Sequence, residues 1–115
     1  MSDCIFCKIV AGEIPSSKVY EDDFVFGFED LHPQAPTHVL FVPKRHISST
    51  AAATPNDVEL MGKVLLAAAT VARERGLDES GYRLLTNHGR DAGQTVFHLH
   101  VHLLGGKPIG PLAGG

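Results

Sequence analysis

Near the end of the chain, the run Val96-Phe97-His98-Leu99-His100-Val101-His102-Leu103-Leu104 alternates apolar and imidazole side chains. Alternation of this kind predicts a β-strand, because successive side chains leave a strand on opposite faces. One face carries His98, His100 and His102, and the other carries Phe97, Leu99, Val101 and Leu103. The second face can close a core. The first has no packing duty that calls for imidazoles in a row. Same-face neighbours on a strand lie roughly 6.5–7 Å apart, so groups able to donate, accept, titrate, attack or bind metal are lined up. Three chemistries fit: a metal site, general acid–base work, and covalent catalysis by an attacking imidazole. No HExxH-type helical pair accompanies the run, and spacing alone does not choose among the three.

The rest of the chain reads as scaffold for that strand. Its 115 residues, 43% apolar and 20% charged, suit one globular domain over 1–115. A formal charge of −3 argues against general nucleic-acid affinity. No apolar run reaches membrane-spanning length. The start, Met1-Ser2-Asp3-Cys4, lacks a basic segment followed by an apolar one, so a cytoplasmic protein is expected.

Cys4 to Gly12 reads as a short helix stopped by Gly12. Ile14 to Ser17 is a connector. Strands are expected at Lys18–Glu21 and Phe24–Phe28, joined by Asp22-Asp23, and again at Thr37–Val42, after a loop with two prolines at Asp30–Pro36. Thr54, Pro55 and Asp57 form a capping-box-like start to a long helix ended by Gly76. Val58, Met61, Val64, Leu65, Ala68, Val71 and Ala72 share its apolar face, with Glu59 and Lys63 paired on the other. A fourth strand is expected at Tyr82–Thr86, then a polar loop, Asn87–Gln94, leading into the histidine strand. The pattern predicts an α+β fold: an antiparallel sheet of about five strands, one long helix and one short one, with the apolar face of the histidine strand on the long helix. Glycines and prolines suggest a flexible tail over about 106–115.

The segment His98-Leu99-His100-Val101-His102-Leu103-Leu104 resembles the signature of the histidine triad (HIT) family of nucleotide-binding hydrolases and transferases. Gly93-Gln94-Thr95-Val96-Phe97, Gly105-Gly106 and the stretch Phe28 to His38 are similar to its Hint branch, the small nucleoside phosphoramidases. The resemblance implies a HIT-like fold and a homodimer whose sheets join across the interface. It also implies that His100 attacks the α-phosphorus of a nucleotide to form a nucleotidyl-histidine intermediate. By the same resemblance His102 binds the α-phosphate and assists proton transfer. His38 supports the nucleophile, Gln94 and Thr95 contact the phosphate or leaving group, Asn87 orients that end, and Asp30 takes the ribose diol.

Read from their chemistry, Gly93, Gln94 and Thr95 offer backbone N–H groups and a hydroxyl suited to phosphate oxygens. Asp30, at a strand end, can accept two hydrogen bonds from a diol. Phe6, Ile9, Phe28 and Leu31 are candidate walls for a base, giving stacking with little discrimination. His32 and His88 match no family histidine and are expected to face solvent.

Cys4-Ile5-Phe6-Cys7 suggests metal or redox chemistry in a reducing compartment, and the βαβ context that a redox catalyst of this motif expects is missing. Zinc needs two further ligands, and His46 and His98 are available. Many bacterial HIT proteins resemble this arrangement, which would pin the N-terminal turn to the sheet. The expected activity is hydrolysis of the P–N bond of a purine nucleoside 5′-phosphoramidate, with no cofactor for catalysis and zinc in a structural role. Dinucleoside polyphosphate hydrolysis, or nucleotide binding without turnover, are the alternatives. The tail lacks the tryptophan that many Hint proteins carry there, which leaves selectivity for the amine open.

Overall fold

The computed structural model describes residues 3–111. In chain order its elements are α1 (Ile5–Val10), β1 (Lys18–Glu21), β2 (Val25–Glu29), β3 (Thr37–Pro43), α2 (Val58–Glu74), α3 (Leu77–Ser80), β4 (Tyr82–Leu85) and β5 (Val101–Gly105). The strands form one antiparallel sheet of five in the order β1-β2-β3-β5-β4. This is the α+β arrangement expected from the pattern.

β3 lies at the centre and is buried along its whole length. Its alternation serves two cores. Val39 and Phe41 join Val101 and Leu103 of β5 beneath α2, while Leu40 and Val42 face α1 with Phe6, Ile9, Phe26 and Phe28. The apolar face of β5 therefore packs on the long helix, and its polar face looks toward α1. Register places His102 opposite Leu40, and Leu104 opposite His38.

The capping box forms: Thr54 N–H donates to Asp57 Oδ2 at 2.8 Å and Asn56 N–H to Thr54 Oγ1 at 3.2 Å. It opens a 3-10 turn, Pro55–Asp57, that runs into α2. The buried face of α2 is Val64, Ala67, Ala68, Val71 and Ala72. Val58 and Leu65, expected on that face, are 67% and 47% exposed, and Ala67 takes a place the pattern had not given it. Small side chains let the helix approach the sheet closely, so the buried stripe is narrower than the sequence's apolar one. Lys63 does not pair with Glu59; its ammonium sits 4.6 Å from the centroid of the Phe24 ring. α3 follows Gly76 directly, an additional short helix beyond the glycine expected to end the helical part.

Two expectations near the histidines need correction. The nine-residue strand is only half formed, for regular pairing begins at Val101. Its partner β3 ends at Pro43, which has no N–H to offer, and the last pair is Phe41 with Val101. Beyond it the chain bends: Leu99 N–H donates to Ile47 O at 2.6 Å, and the His98 ring bonds Pro43 O at 2.8 Å. Phe97, expected in the core, is 55% exposed as a result. The tail also holds more order than its composition suggested. Gly106 takes a φ of +93°, and a Cβ there would lie 2.9 Å from Pro36. Arg83 then donates to Gly110 O at 2.7 Å. Residues 112–115 lie outside the described part.

Candidate active site

A cavity of about 360 Å³ opens between α1, the end of β2 and the histidine segment. Phe6, Ile9, Phe28, Leu31, Asp30, Thr95, His100 and His102 all line it. Phe6 meets His100 edge-on at 5.0 Å between ring centroids and Phe28 at 5.4 Å. The apolar wall and the polar strand face thus share one space. Leu31 is 87% exposed, so the wall is open on its side. The sequence reading missed Ile5, Ile14 and Leu40, which complete the wall, and gave Ser16 and Ser17 only a connecting role although they also line the cavity. The one signal available was Ile14, an apolar residue inside an otherwise polar connector.

Hydrogen bonds to groups that can only accept or only donate fix the ring tautomers. His100 Nδ1 lies 2.7 Å from the backbone oxygen of His98, so Nδ1 carries the proton and Nε2 of the neutral ring has the lone pair. His98 Nε2 lies 2.8 Å from Pro43 O, so its lone pair is on Nδ1. Gln34 N–H donates to His38 Nδ1 at 3.0 Å, so His38 carries its proton on Nε2. That proton faces His102 Nδ1 at 2.9 Å and the Asp30 carboxylate at 3.3 Å. His102 is left with its N–H on Nε2. Neutral imidazoles therefore alternate in role: His100 presents a nucleophile and His102 a donor.

Burial favours the neutral forms of His102, His38 and His98. Burial, helped by neighbouring His100 and His38, pushes His102 down to about 4. Burial lowers His38 as well, against the pull of Asp30, and lowers His98 despite its bond to Pro43. Asp30 is held from below, since its Oδ1 accepts His32 N–H at 2.8 Å.

Three loop residues expected at the phosphate do not line the cavity. Gln94 is 7% exposed, and its side chain is spent on the loop: Oε1 accepts Gly89 N–H at 2.9 Å, while Nε2 donates to Ser48 O and Val96 O. Gly93, with a φ of +80°, ends the 3-10 turn Arg90–Ala92 and turns Gln94 inward. Asn87 is half-buried behind them. Only Thr95, exposed at the rim, reaches the cavity. His88, given no role by the sequence, bonds Ser49 Oγ at 2.7 Å and fastens the same loop.

Cys4, Cys7, His46 and His98 converge, with ligand atoms all within 4.8 Å of one another. His98 Nδ1 lies 3.3 Å from Cys4 Sγ, 3.5 Å from Cys7 Sγ and 3.2 Å from His46 Nδ1. Tetrahedral zinc implies about 3.3–3.4 Å between nitrogens and about 3.5–3.6 Å between nitrogen and sulfur. Three ligand-type atoms gathered on one lone pair, with Pro43 O holding the far nitrogen, make a donor set that fits that ion.

Comparisons with known proteins agree with this geometry. The HIT domain family matches residues 11–109. A purine nucleoside phosphoramidase of Escherichia coli is 44% identical over 110 residues, covering 96% of this chain and 92% of that one. Protein HitA of Neisseria gonorrhoeae is 47% identical over 105 residues, covering 91% of this chain and 97% of that one. The crystal structure of a HIT family hydrolase from Legionella pneumophila superposes with a TM-score of 0.92 at 45% identity, over 94% of this chain and 96% of that one. With the histidine segment, the sheet order and these matches in agreement, the chain belongs to the HIT domain family.

Proposed function

We propose that this protein hydrolyses the P–N bond of purine nucleoside 5′-phosphoramidates through a nucleotidyl-histidine intermediate on His100. The observation that carries the reading is the 2.7 Å bond from His100 Nδ1–H to His98 O, which in the neutral ring puts the lone pair on Nε2, on a side chain that lines the cavity. Nucleophilic imidazole needs that state. The similarity to a purine nucleoside phosphoramidase supports the substrate class.

In this reading the base lies against Phe6, Ile9, Phe28 and Leu31, and the ribose diol donates to Asp30. His100 Nε2 bonds to phosphorus as the P–N bond breaks, and the departing amine takes a proton from solvent at the open mouth. His102 Nε2–H and Thr95 Oγ1 donate to the phosphoryl oxygens, whose charge grows in the transition state. A water then attacks phosphorus from the vacated side. The P–Nε2 bond breaks, the water's proton passes to solvent, and the 5′-monophosphate leaves.

The proposal includes a structural zinc on Cys4, Cys7, His46 and His98, which would tie α1 to the sheet. It includes a cytoplasmic setting, where thiolates persist, and a homodimer joined at β4, which lies at the sheet's edge. Incubation with adenosine 5′-phosphoramidate, with 5′-AMP and ammonia quantified and the acid-labile, alkali-stable adduct sought by mass spectrometry without acid treatment, tests the activity. Tight binding of GMP with no turnover would replace the enzyme by a nucleotide-binding module.

A further inference from the structure

We propose that Cys4 and Cys7 form a reversible oxidation site whose disulfide loosens the nucleotide pocket; the consequence for the pocket rests on the nucleotide reading above. Cys4 is the N-cap of α1 and its Sγ accepts the Cys7 N–H at 3.4 Å, so both sulfurs stand at one helix end. Their distance falls within the 4.8 Å that spans the cluster. Solvent reaches both. Cys4 lines an open groove of about 290 Å³ with Asp3, Ile5, Thr95, Val96 and Phe97, and Cys7 is half-buried beside the exposed His46.

The oxidant is a peroxide. Sulfur of one thiol attacks a peroxide oxygen, the O–O bond breaks, and the departing hydroxide takes the thiol proton as water, leaving a sulfenic acid. The second thiol attacks that sulfur, the S–O bond breaks, the S–S bond forms and a second water leaves. The dithiol is oxidised and the peroxide reduced.

Two structural effects follow. Cys4 is the N-cap with extended backbone and Cys7 the third residue of α1, and a disulfide between them brings the sulfurs to about 2.05 Å. Both side chains must turn toward each other across the first turn of α1, away from the His98 and His46 nitrogens that their sulfurs now face. The metal ligands Cys4 and Cys7 would be withdrawn together, freeing any bound zinc. That turn carries Phe6, whose ring rests on His100, His98 and Phe28 at 5.0, 6.1 and 5.4 Å. Closing the disulfide moves a cavity wall.

The test treats purified, reduced, full-length protein with hydrogen peroxide. Thiol titration, intact mass, zinc release to a chromogenic chelator, melting temperature and GMP affinity are followed. Expected are loss of both thiols with loss of two hydrogens, release of bound zinc, and GMP affinity weakened about tenfold. Dithiothreitol with zinc should restore them. A Cys7→Ser variant, unable to close the ring, should show no reversible change. Thiols that persist, oxidation to sulfinic acid without a disulfide, a disulfide that leaves GMP affinity unchanged, or a reversible fall in Cys7→Ser would each overturn the proposal. Untreated protein that lacks zinc refutes only the metal reading, and untreated protein that does not bind GMP refutes the nucleotide reading. In both cases thiols, mass and melting temperature still decide whether the disulfide forms and disturbs α1.

Discussion

The backbone oxygen of His98 accepts the Nδ1–H of His100 at 2.7 Å, so the first histidine of the segment sets the tautomer of the second. His98 is itself fixed at both ends, through its ring to Pro43 O and through Nδ1 to the cysteine cluster. The bend that interrupts the strand makes this possible. In a regular ladder the carbonyl of His98 would be committed to a neighbouring strand instead of to a side chain two residues on.

Replacing His100 by alanine should abolish phosphoramidate turnover, by at least about 10³-fold in kcat, while GMP affinity changes little. The ring lines the cavity, and its hydrogen bond runs only to the backbone of its own segment. Steady-state kinetics with isothermal titration of GMP checks this, and a variant retaining wild-type kcat would end the nucleophile assignment.

Asp30→Ala should weaken ribonucleotide binding about tenfold or more, the cost of a charged hydrogen-bond partner. The 2′-deoxy analogue should lose less, because one of its two donors is already missing. Equal losses would restrict Asp30 to its contacts with His32 and His38.

Acid should destabilise the fold earlier than carboxylates alone would. His102 falls from its ordinary 6.5 to about 4 in the folded protein, chiefly by burial. Between those values the unfolded chain binds a proton that the folded chain refuses. The contribution is fully present above pH 6.5 and is lost as pH falls toward 4. His38 and His98 act in the same direction. Melting temperature should decline over that window in wild type and less steeply in His102→Gln. Identical pH slopes would show that His102 is not held neutral.

Gln94→Ala should cost about 1–3 kcal/mol of stability, because it strands the half-buried Gly89 N–H and two half-buried carbonyls. Thr95 would lose its mounting, so KM should rise with it. Denaturant titration measures the first effect. A variant as stable as wild type would mean that the loop holds without this bolt.

Purified protein should carry about one zinc per chain. Chelation should lower the melting temperature, since a ligand bound only by the folded form stabilises it by mass action. The loss of activity should be smaller than in His100→Ala. Metal-free protein from zinc-rich growth, with Cys7→Ser melting like wild type, would leave the cysteines as packing residues.

The sequence by itself determined the sheet and the identity of the reactive groups. The strands expected at Thr37–Val42 and within the histidine run form because β3 has a core on each face and β5 buries Val101 and Leu103. The Thr54 capping box and the short helix after Cys4 are likewise local, set by side chains bonding their own backbone. The histidine signature was legible because few packing demands place imidazoles on alternate residues.

Tertiary structure decided the rest. Whether Val58 or Ala67 is buried depends on how near α2 lies to the sheet, which periodicity does not encode. Phe97 is exposed because Pro43, 54 positions earlier, ends the ladder that would have covered it. Gln94 looks like a phosphate ligand in sequence, yet its partners Ser48 and Gly89 turn it inward. The roles of the histidines came last of all. A ring's tautomer depends on which carbonyl or amide meets it, and Pro43 O, His98 O and Gln34 N–H reach these rings only once the chain has folded.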